Sequence, residues 1–321
     1  MQLFLEDIKN SNLNIPALII GSSKRMNDFP FSSFKGKIIS IGDSIIRGKD
    51  MFKSDYWVAA NNEFPVPNIP FQLKIINSFN KTKFFFSDTA AYDVFWTKSI
   101  KYLNKKLISD WLIFDDRHFN NKKCSSPKKC CNLITEINYN LTNYFINQFG
   151  GNFQPLKGNS VVEPALMLAM IMGMNPIFIQ GVEIPLSNKD YTYYPSLQAD
   201  KVLLKTRKYM ARKYLIHYLL NGNLIKKISK SERIRNFFKL KKNKRINFNS
   251  SFPYGRDNNS SIFAKDFENF VKNMSNISKI GKENSFKIIN VNKYSNLKYV
   301  EDIMFNSIDS IKSNYKNCFN I

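Results

Sequence analysis

Residues 159–194 constrain the fold of this chain more than any other segment. Ser160 and Glu163 have the spacing of a capping box, in which each side chain accepts a hydrogen bond from the other residue's backbone N–H. An almost entirely apolar helix is expected to follow and to end at Gly173, because glycine readily adopts the left-handed conformation that closes many helices. The pattern predicts a short, buried helix.

The second half of this segment has the pattern of a buried strand. After a turn at Asn175 and Pro176, residues 177–179 form an unbroken apolar run, which is typical of a central parallel strand covered on both faces. A polar loop with Gly181 and Glu183 follows the run. In open α/β sheets, ligands bind beyond the carboxyl ends of the strands. We therefore expect Gly181, Glu183 and the tyrosines after them to line a binding cleft.

Short strand-like segments alternate with helix-like segments along the chain. Each is an apolar run that ends in small or polar residues, as expected for a β-strand followed by a loop and a helix. The predicted strands are 17–20, 37–41, 56–60, 83–86, 177–179 and 286–291, and a further helix is expected within 132–149. This alternation predicts an α/β fold with a mostly parallel sheet and helices on both faces.

Basic charge is concentrated in one part of the chain. Residues 201–247 hold 16 of the 48 basic side chains and one acidic side chain, and so contribute +15 to the net charge of +23. The first part of this stretch has the periodicity of an amphipathic helix, and two phenylalanines lie in the part that follows. We interpret 197–250 as a basic helical insertion or arm on a domain formed by 1–196 and 251–321.

The basic arm has three interpretations. We favour contact with an anionic membrane surface, into which the apolar helix face and the phenylalanines would dip. Binding to nucleic acid phosphates is the second, but no zinc finger, RNA-recognition or helix-turn-helix signature supports it, so nucleic acid is not the partner we expect. A merely solvated basic surface is the third.

The expected location is the cytoplasm, with at most a peripheral position on the inner face of the membrane. No apolar run approaches the ~20 residues of a membrane span. The first residues lack the basic and apolar regions of a secretory signal, and four cysteines agree with a reducing compartment. Cys124, Cys130 and Cys131 are closely spaced, but without a repeated Cys-x-x-Cys we expect free thiols and no metal site.

Polar residues follow several of the predicted strands. Because the carboxyl ends of parallel strands share one edge of a sheet, such residues could surround a nucleotide or a sugar. Hydroxyls and backbone N–H groups suit a phosphate, and amides, which both donate and accept, suit hydroxyls and base edges. The local alternatives are a tight turn after the first strand and helix capping, for instance by Ser44, Asp88 or Ser160. The candidates are Gly21, Ser22, Ser23, Asp43, Asn61, Asn62 and Glu183.

Residues 190–195 contain an unusual tyrosine cluster. Tyrosine stacks on rings, binds phosphate and can act as an acid near a leaving group, so Tyr191 and Tyr194 are candidate site residues. Surface packing of an aromatic loop is the alternative. The common phosphate-binding and hydrolase signatures Gly-x-Gly-x-x-Gly, the Walker loop and Gly-x-Ser-x-Gly are absent.

Several of the segments described above resemble those of a bacterial family. The family comprises the sialyltransferase-like glycosyltransferases of cell-surface glycans and the related motility-accessory and 6-hydroxymethylpterin diphosphokinase-like proteins. The resemblance implies a Rossmann-like fold that binds a nucleotide, often a CMP- or other nucleotide-activated sugar. The matching segments occur in the family's order and are 17–23, 37–44, 54–63, 159–183 and 287–297.

The resemblance also implies roles for individual residues. Tyr191 would lie near the phosphate and assist the leaving group, and Glu183, which stands where the family usually has aspartate, would bind the sugar or act as a base. A nucleotide sugar would be the donor, without a separate cofactor or metal, and a glycan or lipid-linked molecule would be the acceptor. The nucleotide would be held by Gly21, Ser22, Ser23, Asp43, Asn61, Asn62 and Ser160.

A glycosyltransferase of surface-glycan assembly is the leading prediction, and two alternatives stay open. The sialyltransferase branch has a histidine base where 252–257 of this chain contain none, which favours a non-catalytic nucleotide- or glycan-binding accessory protein. A pyrophosphokinase-type enzyme would need magnesium held by carboxylates such as Asp43, Asp88 or Glu183. The sequence predicts no oligomeric state.

Overall fold

The computed structural model describes residues 1–59, 77–87, 107–114, 140–153, 160–183, 195–196, 201 and 260–320. Within them lie nine strands: β1 (Gln2–Leu3), β2 (Ala17–Ile20), β3 (Lys37–Ile41), β4 (Tyr56–Ala59), β5 (Lys83–Ser87), β6 (Trp111–Phe114), β7 (Ile177–Gln180), β8 (Ile288–Asn290) and β9 (Met304–Phe305). The same ranges contain six α-helices: α1 (Leu5–Ile8), α2 (Ser44–Arg47), α3 (Leu141–Phe149), α4 (Val162–Ile171), α5 (Ser260–Glu283) and α6 (Ile308–Asn314). These described ranges also contain three 3-10 helices, at Lys24–Asp28, Asn296–Tyr299 and Lys316–Cys318.

All nine strands belong to one sheet, with the order β1-β6-β5-β4-β3-β2-β7-β8-β9, and every ladder between them is parallel. From β2 the chain winds outward through β3, β4, β5 and β6. It then returns to the other side of β2 and continues outward through β7, β8 and β9. The direction of winding therefore reverses between β2 and β7, and in open α/β sheets such a reversal opens a crevice at the carboxyl ends of the strands.

The predicted Rossmann-like α/β fold with a parallel sheet is confirmed. All six predicted strands are present, with small shifts at their ends, and the helix expected within 132–149 is α3. The sequence reading missed β6, which has the same apolar pattern as the others, and also β1 and β9, which are too short to show a period. The basic insertion 197–250 lies outside the described residues except for Lys201, so the insertion and the domain limits remain predictions.

The central strands are covered on both faces because their side chains alternate between two apolar clusters. Ile19 and Ile179 belong to a cluster that includes residues of α3, α4 and α5. Leu18 and Phe178 belong to a second cluster, which includes residues of α6 and of the 3-10 helices Lys24–Asp28 and Lys316–Cys318. This burial explains why the central strands read as continuous apolar runs rather than alternating ones. Of the helices described, none combines the length and the apolar character needed to cross a membrane.

The helix–strand unit around α4 folds largely as its sequence predicts. Every residue of α4 is buried, and Gly173 after it has φ of +76°, which confirms the left-handed stop. The predicted capping box is present only in part. The N–H of Ser160 donates to Oε1 of Glu163 at 3.2 Å, but Oγ of Ser160 accepts from the N–H of Val162 at 3.4 Å instead of from Glu163. The reason is that the helix begins one residue later than expected, with Val161 at the cap position.

Candidate ligand-binding crevice

Two glycines meet where β2 and β7 end. The N–H of Gly21 donates to the carbonyl of Gln180 at 2.9 Å, and the N–H of Ser23 donates to the carbonyl of Gly181 at 3.1 Å. A β-carbon on Gly21 would lie 2.3 Å from the carbonyl oxygen of Gly181, and one on Gly181 would lie 2.6 Å from that of Gly21. Gly181 also has φ of +68°. Only glycine fits this close approach of two backbones, which lies at the reversal of the sheet.

The loop after β2 enters a 3-10 helix rather than a regular α-helix. Ser23 is fully buried, and its Oγ accepts from the N–H of Arg25 at 3.2 Å, so Ser23 caps this helix. Ser22 is buried beside it. The N–H groups of Gly21, Ser23 and Arg25 all donate within the protein. Ser23 therefore has a local capping role that the sequence did not predict, and the backbone of this loop has less capacity for a phosphate than the sequence suggested.

Ser44 joins the carboxyl ends of β2 and β3. Its Oγ lies 2.8 Å from the carbonyl oxygens of both Ile20 and Ile41, which share its single proton, and it accepts from the N–H of Ile41 at 3.0 Å. Ser44 is the first residue of α2, and Asp43 occupies the cap position without a capping hydrogen bond from its side chain. Helix capping by Ser44, one of the local alternatives, is therefore wrong, because its hydroxyl is used by the strands.

Asp43 is paired with a buried arginine. Nε of Arg47 lies 2.5 Å from Oδ2 of Asp43, and the two side chains are only 1% and 7% exposed. A charge-assisted hydrogen bond of this kind fixes the carboxylate in one position. At the carboxyl edge of the sheet, the negative charge of Asp43 is therefore neutralised by Arg47.

Buried amides lie at the ends of β7 and β8, and the sequence reading did not select them. Nε2 of Gln180, the last residue of β7, donates to the carbonyl of Arg25 at 2.5 Å. After β8, Oδ1 of Asn292 accepts from the N–H of Tyr294 at 3.0 Å. In the part of the chain that the structure describes, Oε1 of Gln180 and Nδ2 of Asn292 have no hydrogen-bond partner. The sequence signal that could have identified them is that each amide residue directly follows a predicted strand.

Arg25 reaches from the loop after β2 to the loop after β8. Its guanidinium carbon lies 4.6 Å from the ring centroid of Tyr294, and Nζ of Lys293 lies 5.0 Å from the same centroid. Nη1 of Arg25 is 3.8 Å from Oδ2 of Asp28, but both side chains are partly exposed, so this ion pair contributes little. Two cations therefore share one tyrosine ring at this end of the crevice.

The N-terminus of α4 lies at the same edge of the sheet. The N–H of Asn14, just before β2, donates to the carbonyl of Gly173 at 2.8 Å, which places the C-terminus of α4 at the opposite edge. Ser160 is thus near the carboxyl ends of the strands. Next to it, Glu163 is 2% exposed and accepts from Nδ2 of Asn273 at 3.3 Å. Burial raises the pKa of Glu163 well above its usual range, although its two hydrogen bonds lower it.

The structure brings seven of the predicted site residues to the carboxyl edge of the sheet. Glu183 is half-buried there, and its carbonyl accepts from the N–H of Asn296 at 3.1 Å. Among the residues described, no three or more histidine, cysteine or acidic side chains are grouped so as to hold a metal ion. Asn61, Asn62, Tyr191, Tyr194, Asp88, Cys124, Cys130 and Cys131 lie outside the described residues. The seven at the edge are Gly21, Ser22, Ser23, Asp43, Ser160, Gly181 and Glu183.

Comparison of the chain with protein-family models, with curated proteins and with solved structures found no match. The resemblance to the sialyltransferase-like family stays a prediction from the sequence. The structure contributes three observations: the strand order of the sheet, the contact of the two glycines where the direction of winding reverses, and the polar side chains around that contact. These observations are the physical basis for assigning a function.

Proposed function

We propose that this protein is a glycosyltransferase that binds a nucleotide-activated sugar at the carboxyl ends of β2 and β7. The observation that carries the proposal is the contact of Gly21 with Gly181 at the reversal of a wholly parallel sheet. Doubly wound α/β proteins bind nucleotides at this position. The reaction type is taken from the sequence resemblance, in which the donor sugar is attached to a nucleotide phosphate.

In the proposed reaction, an acceptor hydroxyl attacks the anomeric carbon of the donor sugar. The bond from that carbon to the phosphate oxygen breaks, and the nucleotide leaves with the electron pair. Tyr191 donates a hydrogen bond to the departing phosphate, and Glu183 binds the sugar or takes the proton of the acceptor. The residues after β2, β3 and β4 would hold the nucleoside.

Two contacts refine this assignment. Because the N–H groups of Gly21 and Ser23 donate within the protein, we assign phosphate recognition to Tyr191 rather than to the backbone of the first loop. Because the carboxylate of Asp43 is paired with Arg47, this residue is poorly suited to hold magnesium, which favours glycosyl transfer over pyrophosphate transfer. The non-catalytic accessory protein remains the second candidate, since 252–257 contain no histidine.

A screen of nucleotides and nucleotide sugars against the full chain tests the proposal. We expect one nucleotide to raise the melting temperature, because a ligand at about 100 times its Kd stabilises the native state by about 2.7 kcal/mol. The matching nucleotide sugar should be hydrolysed or its sugar transferred. Stabilisation without turnover would favour the accessory protein, and the absence of any nucleotide effect would contradict the proposal.

Variants separate the two catalytic assignments. Tyr191→Phe and Glu183→Ala should lower turnover while the nucleotide still binds. Matched controls are Tyr299→Phe and Glu283→Ala, which change an exposed tyrosine and an exposed glutamate that are not among the predicted site residues. Equal turnover in the variants and their controls would show that the two roles are wrongly assigned.

We further propose that residues 201–247 hold the protein on an anionic membrane, where a lipid-linked acceptor would lie. The net charge of +15 in this stretch supports the proposal. The protein should float with phosphatidylcholine vesicles that contain phosphatidylserine but not with phosphatidylcholine alone, and added salt should release it. A mobility shift with nucleic acid that weakens as salt increases would point to the other partner.

A further inference from the structure

The end of the crevice between β7 and β8 contains polar side chains that the proposed reaction does not use. Gln180 and Asn292 are only 1% and 4% exposed. Oε1 of Gln180 and Nδ2 of Asn292 are unpaired with respect to the described residues, and so is Nε of Arg25. Buried polar groups almost always have hydrogen-bond partners, and an unpaired one lowers stability. Three such atoms in one region point to a ligand that supplies the missing partners.

Hydrogen bonds and cation–π contacts connect these side chains into one cluster. Nε2 of Gln180 donates to the carbonyl of Arg25 at 2.5 Å, and the Arg25 guanidinium lies over the ring of Tyr294. The N–H of Tyr294 in turn donates to Oδ1 of Asn292 at 3.0 Å. Lys293 contacts the same ring. The cluster therefore crosses the end of β7, from the loop after β2 to the loop after β8.

The chemistry of the cluster indicates what it would bind. Arg25 and Lys293 are cations, and Nδ2 of Asn292 is a hydrogen-bond donor, so together they suit anionic oxygen atoms. Oε1 of Gln180 is an acceptor and suits a hydroxyl. The ring of Tyr294 is 55% exposed and can pack against the face of a sugar. A sugar that carries an anionic group next to a hydroxyl satisfies all of these groups.

We propose that Arg25, Gln180, Asn292 and Lys293 form the acceptor subsite, and that the acceptor is an anionic sugar bearing a phosphate or a carboxylate. This inference rests on the proposed function, because it assigns the acceptor of that reaction. The donor nucleotide belongs to the other half of the crevice, at the ends of β2, β3 and β4. The contact of Gly21 with Gly181 lies between the two halves.

Calorimetric titration of the full chain with three probes tests the subsite. Glucose 6-phosphate and glucuronate carry the two anionic groups, and glucose is the neutral control. We expect at least one anionic sugar to bind about tenfold more tightly than glucose, the effect of one or more charge-assisted hydrogen bonds. The tighter of the two identifies the anionic group. Equal binding of all three sugars, or none, would overturn the inference.

Two variants locate the binding. Asn292→Asp keeps the acceptor for the N–H of Tyr294 but replaces the Nδ2 donor with an oxygen, and should weaken anion binding by about tenfold or more. Lys293→Met should weaken it as well. Its matched control is Lys298→Met, because Nζ of Lys298 lies 5.1 Å from the ring centroid of Tyr299, a similar contact outside the cluster.

Nucleotide titration of the same variants separates the inference from the proposed function. Unchanged nucleotide affinity with weakened anion binding supports the acceptor subsite. Equal weakening of both would mean that the cluster holds the donor phosphate, which overturns the acceptor assignment. Anion binding that depends on Asn292 in a protein that binds no nucleotide would support the site and overturn the proposed function.

Discussion

The carbonyl oxygen of Gly181 lies 2.3 Å from the position that a β-carbon on Gly21 would occupy. No real β-carbon approaches a backbone oxygen this closely, so Gly21→Ala must separate the ends of β2 and β7. We expect the free energy of unfolding to fall by about 1–3 kcal/mol, the usual cost of overpacking. Nucleotide binding should weaken as well, because the crevice lies at this contact. Urea unfolding and calorimetry measure the two effects.

Gly150→Ala is the control for this substitution. Gly150 has φ of +82°, and a β-carbon there would meet nothing within 4 Å. The variant should therefore lose about 1–3 kcal/mol of stability from backbone strain alone and bind nucleotide as the wild type does. Equal loss of nucleotide affinity in both variants would contradict a specific role for the glycine contact.

Ser44→Ala should lower stability by about 1–3 kcal/mol, because it leaves buried backbone groups of Ile20 and Ile41 without their hydrogen-bond partner. The matched control is Ser313→Ala. Oγ of Ser313 donates to the carbonyl of Ser310 at 3.1 Å on the exposed surface of α6, and its loss should change stability by less than about 0.5 kcal/mol. Similar unfolding midpoints for the two variants would show that Ser44 does not stabilise the strand ends.

Arg47→Met should cost about 3–5 kcal/mol, because it leaves the carboxylate of Asp43 buried without its partner. The double variant Asp43→Leu, Arg47→Met should recover much of this loss, since it removes both charges. Lys282→Met is the control: Nζ of Lys282 is also 2.5 Å from a carboxylate, that of Asp302, but the lysine is exposed and its loss should change stability little. Denaturant unfolding of all three variants provides the comparison.

Glu163 should make the protein less stable as the pH rises. Burial raises the pKa of Glu163 in the folded protein, whereas in the unfolded chain the group titrates near ~4.3. Above the unfolded pKa the unfolded chain loses this proton first. Stability therefore falls with pH, by at most about 1.4 kcal/mol per pH unit, until the pH passes the folded pKa. Below the unfolded pKa the group has no such effect.

Glu163→Gln tests this dependence, because glutamine has no proton to lose in this range. The variant should therefore lack the part of the fall in stability with pH that Glu163 causes. Its stability relative to the wild type should rise with pH. Urea unfolding at a series of pH values measures the difference, with the exposed Glu268→Gln as the control. A constant difference between Glu163→Gln and wild type across the series would contradict the raised pKa.

Local sequence patterns were sufficient for most of the fold. Runs such as 37–41 predicted strands because a buried parallel strand is apolar on both faces, and Gly173 marked the end of α4. Trp111–Phe114 carries the same signal and was missed, whereas two-residue strands such as Gln2–Leu3 have no period to detect. The position of the cap at α4 was wrong by one residue, because competing hydrogen bonds decide where a helix begins.

The site was less predictable because its geometry depends on which strands become neighbours. The sequence places Gly21 and Gly181 after strands, but their contact arises only because β2 pairs with β7. The ion pair of Asp43 with Arg47 was not predictable, because it forms across α2, a four-residue helix that is too short to recognise in the sequence. Whether the amides of Gln180 and Asn292 find partners is likewise decided by surrounding loops, and no local pattern records it.

The place of β2 between β3 and β7 would couple the proposed ligand binding to completion of the sheet. β2 pairs on one side with the next strand in sequence and on the other with a strand from much later in the chain. During folding, the second pairing closes a long loop and is therefore the slower one to form. A ligand that touches both sides would oppose its reopening, and amide exchange in β7 and β8 would then slow more than exchange in β5 and β6.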